Sequence, residues 1–247
     1  LQPLPRMILN ELAAPPPRFE QASLAKRAYL FIRDSILKGE LRLGAPLSRR
    51  KLASELGMSL VPVAEALQRL ENEGLIESRP RVGTRVYSPT GQDIRERYVV
   101  REALESQSAR LFTLRASPQE RKELCMMAEH MDVLFNRRSS AQDDPEFLFG
   151  VQIHHFQFHM RIAECTQCRP LIKLVEQTHV LTFNWVWDIA ANRPFLPPRF
   201  HRDLADVLVG TNPRASDAAM RKHIRRGLNG IIRAIGPPMK VSSAMPV

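Results

Sequence analysis

The chain has 247 residues, of which 44% are hydrophobic and 25% charged. That composition fits one or two ordinary globular domains and excludes a small disulfide-stapled module. Its charge-poor runs are far shorter than a bilayer span, which excludes a transmembrane helix. Three cysteines, Cys125, Cys165 and Cys168, with no apolar leader after Leu1, point to a reducing, cytoplasmic setting. The net charge of +10, from 36 basic against 26 acidic residues, suggests a polyanionic partner such as nucleic acid, but it is spread along the chain and locates no face.

Residues 1–20 carry Pro3, Pro5 and Pro15 to Pro17, which remove backbone donors, so a disordered or extended arm is expected. Residues 21–89 read as one domain. Leu24, Ala28, Phe31, Ile32, Ser35 and Ile36 share one helical face, with Ser23 able to cap that helix and Gly39 to end it. After a turn at Leu43 to Pro46, Ser48 precedes a short helix that buries Leu52 and Leu56 and stops at Gly57. Ser59 then caps a third helix with Val63, Leu67 and Leu70 inward and Gly74 as its stop. Leu75 to Arg79 and Thr84 to Tyr87 predict two short strands joined through Pro80 to Gly83, where glycine admits a positive φ. Three helices followed by such a hairpin make a winged helix-turn-helix.

Residues 90–235 show apolar periodicity at helical spacing and no strand candidate. Six or seven helices are expected, over about 91–115, 118–138, 145–165, 169–190, 198–210 and 213–235. Ser117 to Glu120 forms a capping-box pattern, and Asp144 and Asn212 each stand before a proline that can open a helix. Residues 236–247, with Pro237, Pro238 and Pro246, predict a flexible tail. The fold class is therefore mainly α, a winged helix-turn-helix followed by an all-α bundle.

Two stretches of the chain resemble a known pair of domains. Gly39 to Leu47, Leu52 to Ser59, Pro62 to Leu67 and Leu70 to Ile76, with Gly83 in the wing, resemble the DNA-binding domain of GntR-family transcription regulators. Val100 to Glu105 and His155 to His159 resemble the opening helix and the metal-binding helix of the FCD ligand-binding domain found in the FadR subfamily. The resemblance implies a homodimer on a two-fold double-stranded DNA operator, modulated by a small carboxylate effector bound at a metal. It also marks a departure. The family pattern has Arg at Leu60, Thr at Val61 and Arg at Ala64, so three habitual polar contacts are absent from the recognition helix. Arg50 stands where the family has a DNA-contacting arginine. The expected DNA-contact set is Arg49, Arg50, Ser59, Leu60, Val61 and Ala64 with Arg79, Arg81, Gly83 and Arg85 of the wing. The apolar pair either touches thymine methyls or marks a domain that has lost its affinity for DNA.

His155 and His159 lie four apart and so point to one side of a helix, with His154 turned off that face. His201 and His223 fall on two later helices, and a bundle can converge all four on one interior point. The FCD pattern supplies Asp and three His as ligands; here His159, His201 and His223 match, and His155 takes the aspartate position. Imidazole-only ligation favours a divalent transition metal, zinc or nickel, over magnesium or calcium. It also leaves the ion's charge uncompensated, which draws an anion more strongly. Alternatively His155 only supports three ligating histidines. Arg101 is the expected carboxylate anchor, against a plain i to i+4 pairing with Glu105.

Cys165 and Cys168 read as packed thiols at a turn, Met126 and Met127 as core filler, and His130 and His179 as structural. Phe183, Trp185 and Trp187 either line the effector pocket or pack a core. The leading reading is a transcriptional regulator and not an enzyme, since no catalytic base accompanies the His155 to His159 run. The alternatives are a metal-dependent sensor with degenerate DNA binding and, further off, a metalloenzyme.

Overall fold

The computed structural model describes residues 23–137, 145–189 and 196–235. The expected arm at 1–20, the tail at 236–247 and the Asp144 cap lie outside the described residues, as do the side chains of Phe183, Trp185 and Trp187. Nine helices and three strands are found among them. They group into two compact units, the first comprising Ser23–Ser88 with Phe183–Asp188, the second the remainder from Pro89.

The first unit opens with α1 (Leu24–Leu37), whose first turn is held by the Lys26 N–H donating to Ser23 Oγ at 3.2 Å. A two-residue strand β1 (Pro46–Leu47) follows, then α2 (Arg49–Leu56), capped by Ser48, whose Oγ accepts from the Lys51 N–H at 3.3 Å. Gly57 ends α2 at φ 61°, a left-handed conformation that a Cβ would strain. After the short turn comes α3 (Leu60–Asn72), then β2 (Ile76–Arg79) and β3 (Gly83–Val86). The sheet order is β1-β3-β2, antiparallel throughout, with Ile76 opposite Val86 and Leu47 opposite Thr84. Ile32, Ile36, Val63, Leu70 and Val86 form the fully buried centre.

Several local expectations need correction. β1 begins inside the segment where the sequence predicts a turn; two residues carry no periodicity, and pairing with β3 alone defines the strand. Phe31 and Leu24 are 45% and 49% exposed, because the buried arc of α1 centres on Tyr29, Ile32 and Ile36 and turns Phe31 outward. Leu56 is half-buried, and the Ser59 side chain makes no capping hydrogen bond. Tyr29 is instead a core residue, its hydroxyl donating to Glu73 at 2.8 Å while the Arg69 guanidinium stacks 3.7 Å from its ring.

The second unit has no strand among its described residues and is built from α4 (Gly91–Arg115), α5 (Pro118–Arg137), α6 (Pro145–Glu164), α7 (Arg169–Ile189, apart from its Phe183–Asp188 stretch), α8 (Phe200–Leu208) and α9 (Pro213–Ile235). Ser117 and Glu120 exchange hydrogen bonds as the sequence pattern requires, and Asn212 Oδ1 accepts from the Arg214 and Ala215 N–H groups. A second capping box joins Thr90 and Asp93 at the start of α4. The most extensive packing is of α4 against α9. Glu102 on α4 ties the pair, accepting from Arg221 and from both nitrogens of the Arg225 fork. Arg121 gathers the carbonyls of Thr113, Ala116, Val209 and Gly210, satisfying the acceptors left at the ends of α4 and α8. Phe112, Leu124, Phe158, Ile162 and Leu208 fill the interior. Met126 is 52% exposed and so is not core filler. No helix among the described residues is long and apolar enough to cross a membrane.

Candidate functional site

Three helices of the second unit bring four histidines together. His155 and His159, one turn apart on α6, face each other with their Nε2 atoms 3.1 Å apart. His223 reaches the same point from α9, and the ligating nitrogens of His155, His159 and His223 fall within 4.8 Å of one another. The His201 ring, from the start of α8, lies 5.3 Å from that of His155 and 5.4 Å from that of His223. Its ring is thus nearer to those two than they are to each other, at 6.4 Å, although its nitrogens fall outside the 4.8 Å grouping. His154 turns outward and its Nδ1 meets the Gly150 carbonyl at 2.7 Å. The cluster is walled by Phe158 and by Phe200, whose ring stacks on His223 at 4.3 Å.

The backs of two imidazoles are held by carboxylates. His159 Nδ1 lies 2.5 Å from Glu105 Oε2, and His201 Nδ1 lies 2.9 Å from Asp132 Oδ1. A proton on each Nδ1 leaves Nε2 as the lone-pair nitrogen, the tautomer a metal ligand needs. His201 Nε2 and His223 Nδ1 are buried with no hydrogen-bond partner, and the His159 Nδ1–Glu105 Oε2 approach, though short, lies off hydrogen-bond geometry, so it is an electrostatic contact first. Burial and the neighbouring imidazoles push His155 and His223 well below the usual histidine range, and burial lowers His201 against the pull of Asp132. All three are therefore neutral at pH 7. Two nitrogens on a tetrahedral zinc, each about 2.0–2.1 Å from it, are about 3.3 Å apart. The His155–His159 spacing is close to that value. The donor set fits a borderline transition metal, and the orphaned buried nitrogens are the groups such an ion satisfies.

A second grouping lies directly behind the first. Glu105, His159 and His179 also place their ligating atoms within 4.8 Å of one another. Here the cation position is taken by the chain itself. Arg101 Nε donates to Glu105 Oε1 at 2.8 Å, its Nη2 lies 3.2 Å from His179 Nε2, and its guanidinium lies 4.7 Å from the Tyr98 ring. Burial alone raises a carboxyl, but Arg101, His179 and His159 outweigh it and hold Glu105 well below the ordinary range. Burial and Arg101 lower His179 to about 4. Arg101 is 5% exposed. The structure thus realises the i to i+4 pairing with Glu105, and it also sets Arg101 two contacts from the histidine cluster.

The expected DNA-contact residues all lie in the first unit. Arg49 and Arg50 are exposed at the start of α2, and Arg81 is exposed in the β2–β3 turn at φ 64°. Leu60 and Val61 are 49% and 66% exposed on the first turn of α3, beside exposed Ser59 and half-buried Ala64. Gly83 takes φ 100° at the end of the wing turn. Arg79 and Arg85 are not free. Arg85 Nε lies 2.6 Å and Arg79 Nη2 3.2 Å from the two oxygens of Glu77, on the neighbouring strand position.

Sequence reasoning missed His179, Glu105 and Asp132 as parts of the histidine site. Glu105 carried a signal, four residues after Arg101 and on the same helical face. Asp132 and His179 carried none, because their partners come from other helices.

Residues 24–86 match the family model of bacterial regulatory proteins of the gntR family, and residues 96–226 match that of the FCD domain. The chain belongs to the gntR family of transcriptional regulators, with an N-terminal helix-turn-helix domain and a C-terminal FCD domain. It is 28% identical over 224 residues to an HTH-type transcriptional regulator in an unstable DNA locus of Streptomyces ambofaciens, covering 89% of this chain and 90% of that protein. It is 40% identical over 94 residues to a D-xylose utilization operon transcriptional repressor of Paenarthrobacter nicotinovorans, a match spanning 38% of this chain and 42% of that relative. In fold it is similar to a GntR transcriptional regulator from Rhodococcus sp. RHA1, with a TM-score of 0.70 at 22% identity over 86% of this chain and 99% of that one.

Proposed function

We propose that this regulator binds a two-fold DNA operator as a cytoplasmic homodimer, and that a small carboxylate held at a divalent transition metal, zinc or nickel, in the helical unit sets its operator affinity. It is not an enzyme on this reading. The observation that carries the proposal is the arrangement around His159, whose Nδ1 is 2.5 Å from Glu105 while its Nε2 meets His155 at 3.1 Å. A carboxylate behind one ring nitrogen and imidazoles in front of the other is the way ligating histidines are oriented at metal sites. His155, His159 and His223 would hold the ion, with His201 completing the set. When bound, a divalent ion there would supply positive charge that attracts an anion. Arg101 and Glu105 brace the site from behind, and a carboxylate entering it competes with Glu105 for the guanidinium.

The test is a zinc and nickel titration followed by DNA affinity with and without a panel of small di- and hydroxycarboxylic acids. Tight binding of one ion per chain, lost in His159→Ala and His223→Ala, with at least one acid shifting DNA affinity, supports the proposal. Metal binding unaffected by both substitutions sinks the site. A second reading, a sensor whose DNA binding has decayed, draws on the apolar Leu60–Val61 pair and on Glu77 holding two wing arginines. It predicts ion and acid binding with no selected DNA motif.

A further inference from the structure

The first two turns of α3, from Leu60 to Leu67, carry no basic residue. Arginine and lysine read guanine by donating to O6 and N7, so that readout is unavailable here. What α3 does present is an adjacent apolar pair, Leu60 at 49% and Val61 at 66% exposure. Val63, Ala66, Leu67 and Leu70 of the same helix are all buried, so the pair is not surplus to an apolar face but turned away from one. Single exposed apolar residues are ordinary, whereas two in succession at the base-reading turn of a DNA-binding helix are not.

The surroundings specify the occupant. Arg49 and Arg50, on the helix before, are exposed and make no ion pair among the described residues, and the same holds for Arg81 in the wing turn. A unit that presents both an exposed apolar pair and arginines outside any ion pair complements a surface that is anionic and also carries apolar groups. In the major groove of duplex DNA the one apolar group on a base edge is the C5-methyl of thymine. Half-buried Ala64, one turn on, lets the α3 backbone approach the groove more closely than an arginine there would.

We propose that Leu60 and Val61 read thymine C5-methyl groups in the major groove, so that operator choice rests on methyl contacts instead of guanine edges. This inference rests on the DNA-binding reading above. Phosphate contacts from Arg49, Arg50 and Arg81 then supply affinity, and the apolar pair supplies the sequence preference.

The experiment selects a duplex from random DNA with the full chain, then synthesises that duplex twice, once with thymine and once with uracil at every such position. Uracil removes the methyl and leaves the base-pairing edge unchanged. Affinities of the wild type and of the Leu60→Ala/Val61→Ala variant for both duplexes form a cycle that separates the methyl contact from any change in DNA shape. Both side chains are exposed, so the variant keeps the fold, which its thermal melt verifies. The expected result is a loss of about fourfold per contacted methyl for the wild type, and little or none for the variant. Equal affinity of the wild type for both duplexes, with selection against scrambled DNA intact, overturns the methyl reading and leaves the regulator standing. An equal thymine-to-uracil loss in wild type and variant overturns it too, placing the methyl contact elsewhere. Recovery of no preferred duplex overturns this inference and the DNA-binding reading together, with an apolar protein partner the remaining use of the pair.

Discussion

His201 Nδ1 lies 2.9 Å from Asp132 Oδ1, and the same carboxylate accepts the backbone N–H groups of His201 and Arg202, each at 2.9 Å. One side chain on α5 therefore starts α8 and decides which nitrogen of His201 keeps its lone pair. The helix end and the imidazole tautomer are set together.

Asp132→Asn tests that double role. An amide oxygen can replace one of the acceptors but not both, so zinc affinity should fall by about 10–100-fold, as for other outer partners of ligating histidines. Asp132→Ala also removes the cap and should cost about 1–2 kcal/mol of stability. Calorimetric zinc titration and urea melts of the apo variants read the two effects separately. Unchanged zinc affinity in both variants would remove His201 from the ligand set.

Arg101 and Glu105 are both at or below 5% exposure, and the pair is worth more intact than either member alone. Arg101→Ala leaves a buried carboxylate uncompensated and should destabilise the protein by about 3–5 kcal/mol. Arg101→Met combined with Glu105→Leu should recover most of that loss, since neither charge is then left buried. Urea denaturation of the two variants beside the wild type measures it. A single-variant loss below 1 kcal/mol would mean that His179 and His159 alone hold the carboxylate.

Glu77 sequesters Arg79 and Arg85 in the wing. The Arg85 hydrogen bond, with Arg79, keeps the Glu77 carboxyl below its ordinary pKa. Glu77→Gln should release both guanidinium groups to phosphates, raising affinity for non-specific duplex and steepening the salt dependence by about 0.9 per added contact. Anisotropy across a salt series reads the slope. An unchanged slope would show that Glu77 already yields both arginines to DNA.

Burial, with Glu176 adding and Arg161 opposing, pushes the Glu164 carboxyl up to about 7. In the unfolded chain it titrates at about 4.3. Folding thus favours the protonated form, so this group's contribution is full below the unfolded value and is lost as pH rises through the folded one. Glu164→Gln should match the wild type at pH 4 and become the more stable of the two between pH 5 and 8. A stability difference that does not change over that interval would contradict the assignment.

The boundaries of α4, α5, α6, α7 and α9 were readable because each has a cap residue, a proline or a clear apolar period at its ends. β1 was not, since two residues have no period and depend wholly on β3. The histidines were readable because His155 and His159 share a face by local geometry. Their carboxylate partners were not, because Asp132 is 69 residues from His201 along the chain. Arg101 illustrates the limit in the other direction. Local spacing named its partner Glu105, but the position of His179 beside both depends on how α4, α6 and α7 pack.

If this chain selects a DNA site under the control of its histidine cluster, selection from random duplex DNA at moderate salt, run with zinc-loaded and metal-free protein, reads both properties at once. The expected result is a short two-fold motif from the loaded protein, with its yield or affinity changed when the metal is removed. Salt-sensitive binding with no motif in either form would rule out both.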